Sequence, residues 1–273
     1  MRSVKCIPAS AMPGHFTMSS EQNSMAMFLP AHNEADNLPK VVSAAVRYLE
    51  GRDANHTLII VDDGSDDNTV GVVVELQELH SHVEAVRHGV NMGYGSALRS
   101  GFEAALCTGH SWIAFCDADG QFDPAEVDSL TCAAIDTQAD AAIGYRIDRA
   151  DGVRRRVMGR GWHHLSRATL GFAARDVDCG CKAFRRYVVE RILPELIGTH
   201  ATVSPEMLAR IERHHFRTVE VGVQHYPRRA GEQSGASRDV VLKSFRTLYA
   251  VRKDLHRKVC ESVVAGPASP IGG

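Results

Sequence analysis

Cys116-Asp117-Ala118-Asp119-Gly120-Gln121 closes the apolar run Trp112-Ile113-Ala114-Phe115 and leads into Phe122-Asp123-Pro124. A short apolar run that stops at Asp and Gly reads as a buried β-strand opening into a loop. Two carboxylates one residue apart at the mouth of a strand, with the Gln121 amide two residues on, form an oxygen-rich set suited to a hard divalent cation, Mg²⁺ or Mn²⁺. The same residues also make an ordinary turn, because Asp and Gly are turn formers. The neighbouring segments decide between the two.

Working outward, Met25-Ala26-Met27-Phe28-Leu29-Pro30 is a second apolar run, followed by Ala31-His32-Asn33-Glu34. Leu38, Val41, Val42, Ala45, Val46 and Leu49 then recur at helical spacing. Thr57 to Val61 is a β-rich run into Asp62-Asp63-Gly64-Ser65, with a helix expected from Val72 to Leu79. Val83 to Val86 reads as a third strand, and Asn91-Met92-Gly93-Tyr94-Gly95-Ser96-Ala97 opens a helix to about Cys107. Strand, loop and helix repeat, so the chain belongs to the α/β class with a mainly parallel sheet. In such sheets ligands sit at the carboxyl ends of strands, where the loops at Glu34, Asp62-Asp63 and Asp117-Asp119 all fall. Gly93 and Gly95 at a strand-to-helix junction permit close approach of a phosphate or ribose. The third glycine of a dinucleotide fingerprint is replaced by Leu98 and no Gly-Lys-Ser/Thr is present, which excludes NAD and P-loop readings.

The 273 residues, 44% hydrophobic, are enough for one large core. No apolar run approaches the roughly 20 residues that span a bilayer. Met1 to Ser24 has no apolar stretch of the kind that directs secretion and reads as a flexible polar leader, so a cytoplasmic protein is expected. Seven scattered cysteines suit a reduced compartment. The net charge of −2 hides a division: residues 25–145 hold 19 acidic and 5 basic groups (net −14), and residues 146–273 hold 13 and 24 (net +11). The basic excess is densest from Arg146 to Arg167, with seven Arg against two Asp, which points to an anionic partner. Nucleic acid is disfavoured, since the cluster interleaves no stacking aromatic beyond Trp162.

Residues 25–235 resemble the inverting family 2 glycosyltransferases of GT-A fold, and within them the dolichol- or polyprenol-phosphate mannosyl- and glucosyltransferase-like group. The resemblance rests on Leu-Pro-Ala-His-Asn-Glu (29–34), Val-Asp-Asp-Gly-Ser (61–65), Asn-Met-Gly-Tyr-Gly-Ser-Ala (91–97) and Asp-Ala-Asp-Gly-Gln (117–121). It continues with Gly-Tyr-Arg (144–146), Arg-Arg-x-x-x-Arg-Gly (155–161), Asp-Val-Asp-Cys-Gly-Cys-Lys-Ala-Phe-Arg-Arg (176–186) and Arg-Arg-Ala-Gly-Glu-Gln-Ser (228–234), in the family's order. It implies a metal-dependent transfer of a hexose, mannose or glucose, from a GDP- or UDP-sugar to a polyprenyl or dolichyl phosphate.

By that resemblance Pro30, Ala31, Glu34, Asp62, Asp63 and Gly93 hold the nucleotide, and Asp117, Asp119 and Gln121 hold Mg²⁺ or Mn²⁺. Arg146 and Arg160 match acceptor-phosphate arginines, Arg228 an arginine closing over the donor diphosphate, and Asp176 an aspartate beside the acceptor. A soluble hydroxyl acceptor, such as a secondary metabolite, would instead need a carboxylate such as Asp176 as general base. A third reading is a silent nucleotide-binding scaffold. The expected organisation is a leader (1–24), a GT-A domain (25–238) with a donor half to 145 and an acceptor half from 146, a basic amphipathic helix (239–262) and a disordered tail (263–273). That helix reads either as packed on the domain or as lying on an anionic membrane surface, making the protein peripheral on the cytosolic face.

Overall fold

The computed structural model of the chain describes residues 6–7, 24–52, 55–148, 153–228, 230 and 238–264. Its elements are β1 (Cys6–Ile7), β2 (Met25–Ala31), α1 (Leu38–Glu50), β3 (His56–Asp62), α2 (Thr69–Leu79), β4 (Val83–Arg87), α3 (Tyr94–Cys107) and β5 (Trp112–Cys116). There follow α4 (Glu126–Asp136), β6 (Ala141–Arg146), α5 (Val153–Leu170), β7 (Cys181–Arg185), α6 (Arg186–Ile192), a 3₁₀ turn (Leu193–Glu195), α7 (Val203–Arg213), β8 (Thr218–Val223) and α8 (Arg238–Val264). The eight strands form one sheet in the order β1-β8-β6-β7-β5-β2-β3-β4.

β2 is buried along all seven residues and lies parallel between β3 and β5, with Met25 opposite His56 on one side and Trp112 on the other. Alternate residues of a strand face opposite sides. Met25, Met27 and Leu29 therefore join the α1 and α4 layer with Leu38, Val42, Val127 and Leu130. Ala26 and Phe28 join the layer of α3, α6 and α7 with Leu98, Phe102, Val188 and Met207. Phe28 meets Phe102 edge-on at 5.0 Å and stacks on Phe115 at 5.5 Å. α1 buries all six of the apolar residues that its spacing set on one face.

From β2 the chain winds outward through β3 and β4, then returns across β2 to place β5 on its other flank. This reversal opens a crevice at the carboxyl ends of β2, β3 and β5. Among the described strands only β7 runs against its neighbours, pairing antiparallel with β5 and β6 and bringing Cys181 opposite Cys116. Within the leader expected over 1–24, of which 1–5 and 8–23 lie outside the described residues, Cys6–Ile7 pairs parallel with β8, whose outer edge would otherwise present unpaired backbone groups. The tail from 265 and the loop residues 229 and 231–237 lie outside the described residues. Among those described, no helix is long and apolar enough to cross a membrane.

Candidate active site

Three loops converge at the carboxyl ends of β2, β3 and β5. The first is Ala31 to Asn37, pinned by short-range polar bonds to the second, Asp62 to Thr69. Asn33 adopts φ 57°, donates its amide to the Ser65 hydroxyl at 2.9 Å, and accepts from the Asp66 amide at 2.8 Å. The Glu34 amide donates to Thr69 Oγ1 at 2.9 Å. Asp62 accepts from the Ser65 amide and hydroxyl through Oδ1, while its Oδ2 is buried without a hydrogen-bond partner, 3.5 Å from Arg87 Nε. An orphan carboxylate oxygen in a crevice is a docking point for an N–H or hydroxyl donor.

Asp63 is engaged differently. Its two oxygens accept from His88 Nδ1 (2.6 Å), the Met92 amide (2.9 Å) and the Gly93 amide (2.8 Å), and His88 Nε2 meets Ser100 Oγ at 2.9 Å. Asp63 thereby shapes the loop leading into α3. Gly93 has φ 92°, and a Cβ there would stand 2.7 Å from His200 Nδ1; the Gly95 amide donates to Thr199 O at 2.9 Å. The close approach expected of a phosphate at these glycines is made by the chain's own segment 198–200. The carboxylate of Glu206, which accepts from the Ile197 and Gly198 amides and from Arg210, holds that segment from behind.

The third loop carries Asp117, Asp119 and Gln121. The Asp119 carboxylate accepts from the Gln121 amide at 3.0 Å, and Gln121 Nε2 donates to Tyr226 O at 3.2 Å, tying the loop to the chain after β8. Asp117 Oδ1 accepts from the Tyr94 hydroxyl at 2.9 Å, and its amide donates to Gly180 O at 2.9 Å. Burial, followed by the charge of Asp119, pushes the Asp117 carboxyl up to about 7 against the opposing pull of Tyr94, Lys182 and Arg146. Lys182 is fully buried, donates to the Val177 and Cys179 carbonyls and lies 5.4 Å from the Phe115 ring centroid.

Arg228 joins the loops across 194 residues. Its Nη2 reaches Glu34 Oε1 at 2.5 Å, its Nη1 lies 3.5 Å from Asp119 Oδ2, and its Nε donates to Ala230 O at 2.8 Å. The second Glu34 oxygen accepts from Asn37 Nδ2 at 2.6 Å; burial still holds the Glu34 carboxyl above its ordinary value. A guanidinium thus stands against Asp119, the place where a divalent cation would be drawn. Two carboxylates one residue apart, Asp117 and Asp119, with the Gln121 amide beside them, are an oxygen donor set of the kind that holds Mg²⁺ or Mn²⁺ when phosphates complete its shell, so the residues present fit such an ion.

On the basic side, Arg146 and Asp176 form a two-pronged ion pair, Nε to Oδ2 and Nη2 to Oδ1, both at 2.6 Å. Burial works to lower the Arg146 pKa, and the Asp176 carboxylate outweighs it and raises it. Arg160 is exposed on α5, while Pro30 and Ala31 are buried at the end of β2. The structure therefore gathers Glu34, Asp117, Asp119 and Arg228, sets Arg146 with Asp176 beside them, and leaves Arg160 on the surface. Sequence reasoning passed over Tyr94, Lys182 and Gly180 as partners of Asp117. A lysine inside the apolar strand Cys181–Arg185 was the available signal for the second.

The fold has solved counterparts. Mycobacterium tuberculosis glucosyl-3-phosphoglycerate synthase, in complex with Mn²⁺, UDP-glucose and phosphoglyceric acid, is 19% identical, with a TM-score of 0.65 over 91% of this chain and 86% of that one. The same enzyme with Mg²⁺ and UDP matches at 18% identity and a TM-score of 0.59, over 84% and 77%. The architecture is accordingly the GT-A α/β fold. The family model described as Glycosyl transferase family 2 matches residues 27–193, from within β2 to the end of α6. With more than half its length inside that match, the chain belongs to glycosyl transferase family 2 and is a glycosyltransferase.

Proposed function

We propose that the enzyme transfers a hexose from a GDP- or UDP-sugar to a polyprenyl or dolichyl phosphate, assisted by Mg²⁺ or Mn²⁺. Asp117 and Asp119, with Gln121 behind them, would hold the ion, which when bound neutralises charge developing on the nucleoside-diphosphate leaving group. The orphan oxygen of Asp62, together with Pro30, Ala31 and Glu34, receives the nucleoside, while Asp63 and Gly93 keep the adjoining loop in shape. Arg228, released from Glu34 and Asp119 as donor binds, turns its guanidinium to the diphosphate. The donor half is residues 25–145 and the acceptor half 146–238.

The observation that carries the acceptor class is the Arg146–Asp176 pair. A hydroxyl acceptor needs a carboxylate able to take its proton, and both Asp176 oxygens are committed to a guanidinium at 2.6 Å. An acceptor phosphate is already ionised near neutral pH and needs only to be positioned, which suits the excess of arginine in this half. The complex of the Mycobacterium tuberculosis enzyme with phosphoglyceric acid favours a second reading, a small soluble acceptor that also carries phosphate.

The test offers labelled UDP-glucose and GDP-mannose, with Mn²⁺ or Mg²⁺, to a polyprenyl phosphate in detergent and, separately, to 3-phosphoglycerate. Glycosylated lipid phosphate, lost on chelation and with a raised acceptor requirement in Arg160→Ala, is expected. Transfer to 3-phosphoglycerate alone would replace the lipid reading by the second.

A further inference from the structure

We infer that Arg175, laid over the ring of Tyr145, is a phosphate-binding residue for the acceptor. The inference rests on the reading that the acceptor carries a phosphate monoester, and it holds alike for a lipid and a soluble one. Tyr145 stands near the carboxyl end of β6, opposite Gly222 of β8. A Cβ on Gly222 would stand 3.2 Å from Tyr145 Cζ, so the missing side chain gives the ring its space. Arg175 Cζ lies 5.0 Å from the ring centroid. Glu220 Oε1 accepts from the Arg175 amide at 2.6 Å, and Glu220 Oε2 lies 4.0 Å from Arg175 Nε. Ring and carboxylate together fix the arginine, yet 53% of its side chain is exposed. Its guanidinium makes no hydrogen bond among the described residues, so the fork is held in place with its donors open.

The neighbouring arginines are placed differently. The Arg146 side chain is 5% exposed, and its charge is met by the Asp176 carboxylate through two bonds of 2.6 Å. Arg160 is exposed on α5. Arg175 adjoins Asp176, and the loop that follows crosses the carboxyl ends of the strands. Asp176 Oδ2 accepts from the Arg146 amide at 3.3 Å at the end of β6, and Gly180 O accepts from the Asp117 amide at 2.9 Å at the end of β5. Val177 and Cys179, both buried, anchor the loop between these points. From Arg175 to Gly180 the chain can span at most about 17 Å. Arg175 therefore shares a loop with the wall of the metal site and stands at its β6 end, where an acceptor can approach a sugar whose leaving group is held at Asp117. An exposed guanidinium kept flat against an aromatic ring presents paired N–H donors to phosphate oxygens.

The test reads binding without turnover. Protein carrying Mn²⁺ with UDP or GDP is titrated by calorimetry with 3-phosphoglycerate and, separately, with decyl phosphate below its micelle concentration. Glycerate and decanol are the phosphate-free controls. One of the two phosphates is expected to bind while its control does not, and which one binds tells a soluble from a lipid acceptor. Arg175→Met is expected to weaken that binding roughly tenfold, with nucleotide affinity and melting temperature unchanged. Arg175→Lys keeps the charge without the planar fork and is expected to recover part of the loss, and Tyr145→Leu, which removes the platform, to fall between parent and Arg175→Met. Undiminished phosphate binding in Arg175→Met, an equal loss of nucleotide affinity, or a parent that binds neither phosphate would overturn the inference. Phosphate binding that depends on Arg175, in a parent that transfers no sugar to either compound, would keep the anion site and remove the acceptor reading alone.

Discussion

Replacing Gly180 by alanine tests whether the Asp117 carboxylate is held in the orientation that metal binding requires. The added Cβ would stand 1.9 Å from Asp117 Oδ2 and 2.3 Å from its Cγ. The backbone offers no relief, since the Asp117 amide is bonded to Gly180 O at 2.9 Å and Cys116 is paired with Cys181 beside it. Gly180 itself is not in the left-handed region, so alanine adds no main-chain strain. The carboxylate must swing away and abandon the Tyr94 hydroxyl at 2.9 Å. A hydrogen bond to a charged group contributes about 1.5–3 kcal/mol. At about 1.4 kcal/mol per factor of ten, Mn²⁺ affinity is expected to fall roughly 10- to 150-fold. Free Mn²⁺ is followed by electron paramagnetic resonance during titration in the presence of UDP, with the melting temperature as control for folding. An unchanged Mn²⁺ affinity in a folded Gly180→Ala protein would refute the assignment of Asp117 as a ligand held by Tyr94.

Two further outcomes follow from buried charge. Asp117 is raised from 3.8 to about 7, so its ionisation opposes folding: stability from this group is present at low pH and is lost as pH rises through that interval. Metal-free Asp117→Asn should therefore unfold at a higher temperature than the parent at pH 8 and at the same temperature near pH 4; a difference that does not change with pH would contradict this. Arg210 is fully buried among Glu195, Glu206 and Asp254, and Arg210→Met strands those carboxylates. A loss of about 3–5 kcal/mol is expected in urea unfolding, and a loss below 1 kcal/mol would show that the cluster is poorly coupled.

Legibility in the sequence tracked how local the determining interactions are. α1 was readable because six apolar residues at helical spacing report one buried face, and Asp117 and Asp119 were readable because they interrupt an apolar strand. The end of the chain before β8 was harder. Cys181–Arg185 carries Lys182 in its middle, which reads as surface until carbonyls of Val177 and Cys179 fold over the ammonium. Asp62 and Asp63 are neighbours of identical chemistry, and only the position of His88 and of the Met92 and Gly93 amides separates a carboxylate with one oxygen outside any hydrogen bond from one engaged on both oxygens. Gly93, read as a place where a phosphate or ribose could approach, stands against His200, a neighbour no local pattern revealed. Tyr94 lies within the motif 91–97, yet its hydroxyl finds Asp117 only when α3 packs beside β5.

The Glu34–Arg228 contact has a consequence for synthesis of the chain. Its partners are 194 residues apart, so a nascent polypeptide emerging from the ribosome exposes the loops of Glu34 and Asp119 long before Arg228, the guanidinium that meets both, has been translated. Until β8 emerges and carries Arg228 into place, the growing chain holds a knot of like charges at the edge of an otherwise finished half-sheet. Closure of that edge is a late event by topology, since pairings of such long separation form slowly. A messenger truncated before Pro227 would leave a chain with the donor-side carboxylates present and their clasp missing.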